Sequence, residues 1–470
     1  MAKESSNQKA LKAGVGYTIG NILLKGITFL SIPLFSRLLS VPDYGVYSTY
    51  SSYVSVLTVV VGFALHTSIK NALYDYKGML NDYCSSVSLV TIINALLLML
   101  ISLVFSDQIG SLLSLEPAMV MLVIVESAAM AIVTFYNNYL SVDYRYKEYL
   151  YLSLIYAIGG VVMSVILILT MFAEKGYMGR AMGAAIASCV TALYVLVRLF
   201  RAAPPRINFK YWQYGMKISL PIVPHGLSQL ILAQFDRIMI KKSIGDLEAG
   251  LYSFAHNVGM IYQVVANSLD TAWTPWFFEK MEKKEYQQIR KVANFYVGLL
   301  GLGAICLMLI SPELIVVMGG NKYNTSRSVA IPIVLAMFYS ATYNFPASVE
   351  YYYKKTNIIA IGTMLAAVLN IVLNALCIPI YGFVAAAYTT VACYLLYYFV
   401  HLALSRKIHG SMIYSMKWHL MCLIGVTVFH FLCLVLLDQL VIRLVMLVVI
   451  LGGTALLVYR KLPELKTMKG

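Results

Sequence analysis

The chain has no G-x-x-x-x-G-K-[ST] segment, so it lacks the phosphate-cradling loop with which ATP is hydrolysed. Its seven cysteines include no C-x-x-C pair and lie within or beside apolar runs, as small packing residues do. They predict neither a disulfide framework nor a metal site, and the seven histidines show no ligand spacing. Long polar stretches are also missing. The widest breaks between apolar runs, 201–216 and 275–292, are too short for a soluble catalytic domain. They are too short as well for the long external loop of a membrane glycan polymerase or ligase. Charge is scarce: 12% of residues are charged, against 60% hydrophobic. A soluble domain carries about a quarter charged residues, which excludes that class.

What the sequence does have is long apolar runs, such as SVSLVTIINALLLMLISLVF (86–105) and MKWHLMCLIGVTVFHFLCLVLL (416–437). Each can cross a hydrocarbon core of roughly 30 Å as a helix. The pattern predicts an all-α polytopic membrane protein with about 14 transmembrane helices, the first near 12–36, the eighth near 249–274 and the last near 440–459. The N-terminal MAKESSNQKALK is polar and leads into a long span without an A-x-A-like site, so no removable signal peptide is expected. Placing both termini in the cytoplasm puts most of the 36 Lys and Arg in the tails and even-numbered loops. That bias accounts for the net charge of +15 through loops facing anionic lipid, without nucleic acid as a partner.

Short phrases recur in order. LSVPDYGVYSTY (39–50) is echoed by IGDLEAGLYSFA (244–255), both reading Asp, a spacer, then Gly-x-Tyr-Ser. Leu98–Ser102 returns as Leu307–Ser311, Tyr144–Lys147 as Tyr352–Lys355, and Gly183–Ala185 as Ala385–Ala387, at offsets of 202–209 residues. Six spans lie between equivalent points, so the halves share an orientation. The expected domains are an N-lobe (1–205, helices 1–6), a C-lobe (206–410, helices 7–12) and two further helices (411–470). In this reading Gly45 and Gly250 permit a close turn at the start of each lobe's second helix, and Tyr47 and Tyr252 sit at headgroup level.

Polar residues inside apolar spans carry the functional signal. An ionisable group near the bilayer centre costs at least about 2.5–3.5 kcal/mol and normally faces a cavity or a partner. Tyr17, Asn21, Lys25 and Thr28 share one helical face of the first span; His225, Gln229 and Asp236 share one of the seventh; His256, Gln263, Asn267 and Asp270 share one of the eighth. These faces predict a hydrated cavity; the alternative is that they only hydrogen-bond neighbouring helices. Lys25, mid-span and cationic, and Glu126, centred in MLVIVESAAM, favour function. His66 and Asp270 lie near span ends, where snorkelling to water is easy. In the seventh span, LPIVPHG places Pro221, Pro224 and Gly226 where they break the helix, as a transport hinge or as a static kink. Further along, FDRIMIKK sets Arg237 and Lys241 one turn apart beside Asp236, an anion-binding rim or a solvated cluster.

GYTIGNILLKGITFLSIPLFSRLLSVPDYGVYS (16–48) together with FDRIMIKKSIGDLEAGLYSFA (235–255) resembles bacterial polysaccharide flippases of the Wzx type, within the multidrug/oligosaccharidyl-lipid/polysaccharide exporter superfamily. The resemblance runs across essentially the whole chain. It implies a secondary transporter of the bacterial plasma membrane, not an enzyme. Its cargo would be undecaprenyl-diphosphate-linked oligosaccharide, moved from the inner to the outer leaflet for capsule, O-antigen or a similar polymer. The resemblance further implies a cavity lined chiefly by the first, second, seventh and eighth helices, worked by ion-coupled alternating access of the antiporter kind. Lys25, Arg37 and Arg237 would neutralise the diphosphate, and Asn21, His225, Gln229, His256, Gln263 and Asn267 would contact the sugars. No cofactor is implied, only a coupling H+ or Na+ at Glu126 and Asp236, with Asn370, Asn374 and Thr389 as a further set. Related flippases bind sodium between the seventh, eleventh and twelfth helices. The partners implied are the lipid-linked substrate, membrane lipids, and a polysaccharide polymerase with its glycosyltransferases. Fourteen spans match the lipid II flippase branch, whereas many polysaccharide flippases have twelve.

Two other classes compete. A multidrug exporter of the same superfamily would favour an acidic, aromatic cavity, and the central Lys25 weighs against it. A membrane-embedded glycosyl or acyl transferase would need a carboxylate or His constellation that no motif supplies.

Overall fold

The computed structural model describes residues 6–467 and is helical, with no strand among the described residues. The longer helices are α1 (Ser6–Leu38), α2 (Val41–Gly62), α3 (Leu80–Val104), α4 (Pro117–Val142), α5 (Tyr146–Thr170), α6 (Gly176–Ala202) and α7 (Val223–Ile244). They continue with α8 (Asp246–Glu282), α9 (Tyr286–Gly319), α10 (Ser326–Thr342), α11 (Thr356–Tyr381), α12 (Val384–His409), α13 (Met416–Val435) and α14 (Leu440–Thr467). Among the described residues, 11 helices are long and apolar enough to cross a membrane, or 12 if the bent pair Val41–Gly62 and Leu65–Asp75 is one span. That falls short of the 14 expected. The apolar run of α8 is broken by Gln263, Asn267 and Asp270, and α14 enters the count only through its described apolar stretch, Leu440–Leu456.

The Asp…Gly-x-Tyr-Ser phrase explains the start of α2. Ser40 caps it by accepting from the Asp43 amide at 3.1 Å, Pro42 sits in the first turn, and Asp43 faces the positive end of the helix dipole. Gly45 then lies within the helix rather than at a turn. A Cβ on Gly45 would run into the Asp246 carbonyl oxygen and the Gly250 amide, and one on Gly250 would run into the Val41 carbonyl. The two repeated glycines therefore face each other, and their missing side chains let the first turns of α2 and α8 touch backbone to backbone. Gly45→Val is expected to cost about 1–3 kcal/mol of stability through overpacking, read as a lower melting temperature in detergent. The same substitution at Gly14, with nothing within 4 Å of its Cβ, is the control.

The tyrosines of the two phrases are not headgroup anchors. Tyr252 is buried and bonded to Asp236, while Tyr47 lies under the Arg180 guanidinium, 4.7 Å from the ring centre. Each is needed as a partner inside the protein, and that outweighs the interfacial preference of the ring.

α2 ends in two successive left-handed residues, Phe63 (φ 47°) and Ala64 (φ 51°), and the chain turns by 51° into a short helix ending at Asp75. The loops after α4 and after Asn344–Tyr352 repeat one another. Tyr144 and Lys354 are both left-handed, and the following amides bond back to Leu140 and Glu350 respectively. The equivalence runs from Tyr144 to Lys354, two residues further than the aromatic-basic match in the sequence indicates.

The chain packs into two compact units. One comprises the residues up to Ser253 with Thr363–Phe383; the other comprises Phe254–Gly362 with the residues from Val384 onward. The core of the first is built around α4, whose Val123, Ile132, Phe135 and Leu140 are buried among α2, α3 and α6. In the second the most buried span is Ser326–Tyr352, 72% enclosed. Lipid-facing positions carry the exposed large apolar side chains, such as Ile93, Leu96, Leu97 and Leu100 on α3.

At one end of the first unit, Glu116 accepts from the Tyr177 hydroxyl (2.7 Å) and from Lys175 (3.0 Å). The Tyr177 bond, then Lys175, holds its carboxyl below the ordinary glutamate range. A folded pKa lower than the unfolded one stabilises above the unfolded value, about 4.3, and that contribution is lost as pH falls through the folded value. The melting temperatures of wild type and Glu116→Gln should therefore differ at neutral pH and converge in acid.

Candidate functional site

α7 begins after a break. Phe209–Ser219 is helical, Leu220–Ile222 is a 3-10 turn carrying Pro221, and Pro224 occupies the first turn of α7. Each proline sits where a helix start tolerates its missing donor. Gly226 lies beyond the break, inside continuous helix. His225 and Gln229, one turn apart, contact each other at 3.3 Å.

Two turns further on, Asp236 is 5% exposed within the first unit and is held from two directions. The Tyr252 hydroxyl donates to one carboxylate oxygen at 2.6 Å, and the Asn374 amide donates to the other at 2.7 Å. Asn374 Nδ2 also lies 3.2 Å from Asn370 Oδ1, and both asparagines are fully buried. Two consecutive helices and a third more than a hundred residues on thus bring a carboxylate, two amides and a phenol into one buried cluster. The carboxylate and amide oxygens are hard ligands suited to an alkali cation, and the carboxylate could equally take a proton. Arg237, 9% exposed, donates to Gln234, which also accepts from Ser52 at 3.4 Å.

A second buried acid lies on α4. Glu126, 5% exposed, accepts from the Tyr50 hydroxyl at 2.5 Å. Nearby on α6, Arg180 donates to Ser164 at 2.9 Å and stacks 3.8 Å from the Phe35 ring centre.

The α1 stripe divides. The Tyr17 hydroxyl donates to the Leu140 carbonyl at 3.0 Å and Asn21 accepts from Tyr149 at 2.9 Å, so this end of the stripe binds α4 and α5. Lys25 and Arg37 are exposed on their unit. In the second unit His256 is buried while Gln263 and Asn267 are exposed, and the Thr389 hydroxyl bonds the Ala386 carbonyl one turn back.

Sequence reasoning missed a buried carboxylate–imidazole pair and a partly buried ion pair in the second unit. Glu350 and His401 are both fully buried, with His401 Nδ1 2.8 Å from each carboxylate oxygen. Arg443 on α14 grips Glu313 on α9 in a two-pronged bond (2.5 and 2.6 Å) and donates to the Leu309 carbonyl. A single ionisable group in an apolar run, such as Glu350 in ASVEYY, was the available signal; a search for several polar residues on one face passes over it.

The profile of the family described as "Polysaccharide biosynthesis protein" matches residues 11–281. A protein of the Lsg locus of Haemophilus influenzae is 23% identical over 376 residues, covering 77% of this chain and 90% of that protein. An uncharacterized membrane protein of the same organism is 20% identical over 365 residues, covering 75% and 86%. Among solved structures, the lipid II flippase MurJ in its inward closed conformation superposes with a TM-score of 0.68 at 14% identity, covering 94% of this chain and 99% of that one. An inward-facing multidrug resistance transporter of the MATE family gives 0.60 at 13% identity, covering 85% and 99%.

Proposed function

The chain belongs to the polysaccharide biosynthesis protein family, and from that premise we propose that it flips undecaprenyl-diphosphate-linked oligosaccharide units from the inner to the outer leaflet of the plasma membrane. The observation that carries this reading is the family match over 11–281, which takes in Lys25, Arg37 and Arg237. Guanidinium and ammonium groups are the chemistry a diphosphate requires. Lys25 and Arg37, exposed, supply it directly. Arg237, buried beside Asp236, reaches the substrate only when α7 shifts. Asn21, His225, Gln229, His256, Gln263 and Asn267 are assigned to the sugars, and the polyprenyl tail stays in lipid.

The proposed mechanism is rocking of two six-helix lobes, 1–205 and 206–410. The break at Leu220–Ile222 gives α7 a hinge, and the Gly45–Gly250 contact gives a closure that can form or part. Coupling is assigned to Asp236 with Asn370 and Asn374, which share one buried cluster, and separately to Thr389 and to Glu126 as a proton site.

Depleting the protein in its host tests the whole reading. Complete lipid-linked repeat units should accumulate out of reach of a membrane-impermeant sugar-oxidising probe. Truncated units would point to a transferase instead. Unchanged lipid-linked glycan with altered sensitivity to cationic drugs would point to a multidrug exporter.

A further inference from the structure

Where α4 ends, α5 begins and α6 ends, the first unit forms a half-open cavity of about 240 Å³ lined by Tyr136, Tyr139, Arg145, Arg198 and Arg201. Two carboxylates lie against its lining arginines. Glu148 accepts from the Tyr136 hydroxyl at 2.7 Å, is bonded to Arg145 and lies 3.6 Å from Arg198. Asp143, largely exposed, is 3.8 Å from Arg145. Arg201 has no ion pair among the described residues. The Arg145 guanidinium lies 5.9 Å from the Tyr139 ring centre, and the Tyr139 hydroxyl is occupied by Asn81 at 2.8 Å. The phenols therefore form walls, Glu148 holds Arg145 in place, and Arg198 and Arg201 project from the last turns of α6, three residues apart on one face. Three guanidiniums against two carboxylates, Glu148 engaged by Arg145 and Arg198 and Asp143 largely exposed to solvent, leave this cavity with a net positive charge.

We propose that this cavity binds a phosphate-bearing anion, the headgroup of an acidic phospholipid, at the end of the bundle that carries the chain's basic loops. Guanidinium forks match phosphate oxygens two at a time, and basic pockets between membrane helices on the positive side take acidic headgroups. The site is separate from the Asp236 cluster and does not depend on the proposed cargo. A bound headgroup would fasten the ends of α4, α5 and α6 to the leaflet they face.

The test is the melting temperature of the full chain in detergent, titrated with phosphatidylglycerol, phosphatidylcholine, inorganic phosphate or pyrophosphate. Three proteins are compared: wild type, Arg198→Gln/Arg201→Gln, and a charge-matched control, Lys147→Gln/Arg206→Gln, on nearby exposed positions. Phosphatidylglycerol should raise the melting temperature of wild type and control saturably, and the Arg198/Arg201 variant should need on the order of tenfold more lipid or beyond. If phosphate or pyrophosphate reproduces the shift and the lipid does not, the phosphate chemistry stands with a soluble anion as its source. An equal response of wild type and the Arg198/Arg201 variant, or an equal response to phosphatidylcholine, overturns the proposal. Should that variant be unstable without ligand, native mass spectrometry of retained lipid reads the same difference: loss of phosphatidylglycerol supports the site, and undiminished retention overturns it.

Discussion

Asp236→Ala is expected to abolish the proposed flipping of lipid-linked oligosaccharide and to weaken the fold. The substitution strips the acceptor from both the Tyr252 hydroxyl and the Asn374 amide, each buried and within 2.7 Å of the carboxylate. Hydrogen bonds to a charged group contribute about 1.5–3 kcal/mol each, so the combined loss is on the order of 3–6 kcal/mol. Asp236→Asn separates the two effects, because it keeps the shape and an acceptor oxygen but removes the charge. That variant should fold yet lose any ion dependence. The measurement is the melting temperature in sodium against choline chloride at constant ionic strength, repeated as a pH series. A sodium or pH response that survives in Asp236→Asn unchanged would remove Asp236 from the coupling role.

Glu350→Ala should be nearly as damaging, for reasons that are purely structural. Glu350 and His401 are both fully buried, and Gly362 packs directly against the imidazole, where a Cβ would come within 2.8 Å of Nε2. The Tyr397 ring closes the site edge-on, 4.3 Å from the imidazole centre. Nothing can replace the carboxylate once it is gone. Removing one partner of a buried pair typically costs about 3–5 kcal/mol, whereas replacing both by apolar residues of similar size is often neutral. Glu350→Met/His401→Leu should therefore recover most of the stability lost in Glu350→Ala. Thermal unfolding in detergent checks both, and equal stability of wild type and Glu350→Ala would show that the pair does not hold the helices together.

The membrane class, the helices and the recurrence of phrases are legible in the sequence because each depends on local periodicity or composition. Asp236, Asn370 and Asn374 could be named in advance, the first from its polar stripe and the other two from what the family resemblance implies. Their shared cluster needed the fold. Tyr252 was misread because a tyrosine near a span end has two good uses, interfacial anchor and buried donor, and only its neighbour decides between them. Glu350 and His401 are 51 positions apart. No periodicity links them, and each looks unremarkable without the other. α8 shows the converse limit. Its polar residues are readable, but they are also what brings it below the apolarity of an ordinary span.

The paired glycines have a consequence beyond packing. Gly45 meets the carbonyl four residues before Gly250, and Gly250 meets the carbonyl four residues before Gly45. Such reciprocity is the mark of an isologous interface, the kind found where two identical subunits join across a twofold axis. In a homodimer one gene position supplies both sides, so a change on one side is automatically matched on the other. Once the two copies are fused into a single chain, that matching is lost, and a side chain gained at either position meets unaltered backbone opposite. Residues 45 and 250 are thus bound to a common fate although nothing in the linear sequence ties them, and a substitution tolerated at one should require repositioning of the helix that carries the other.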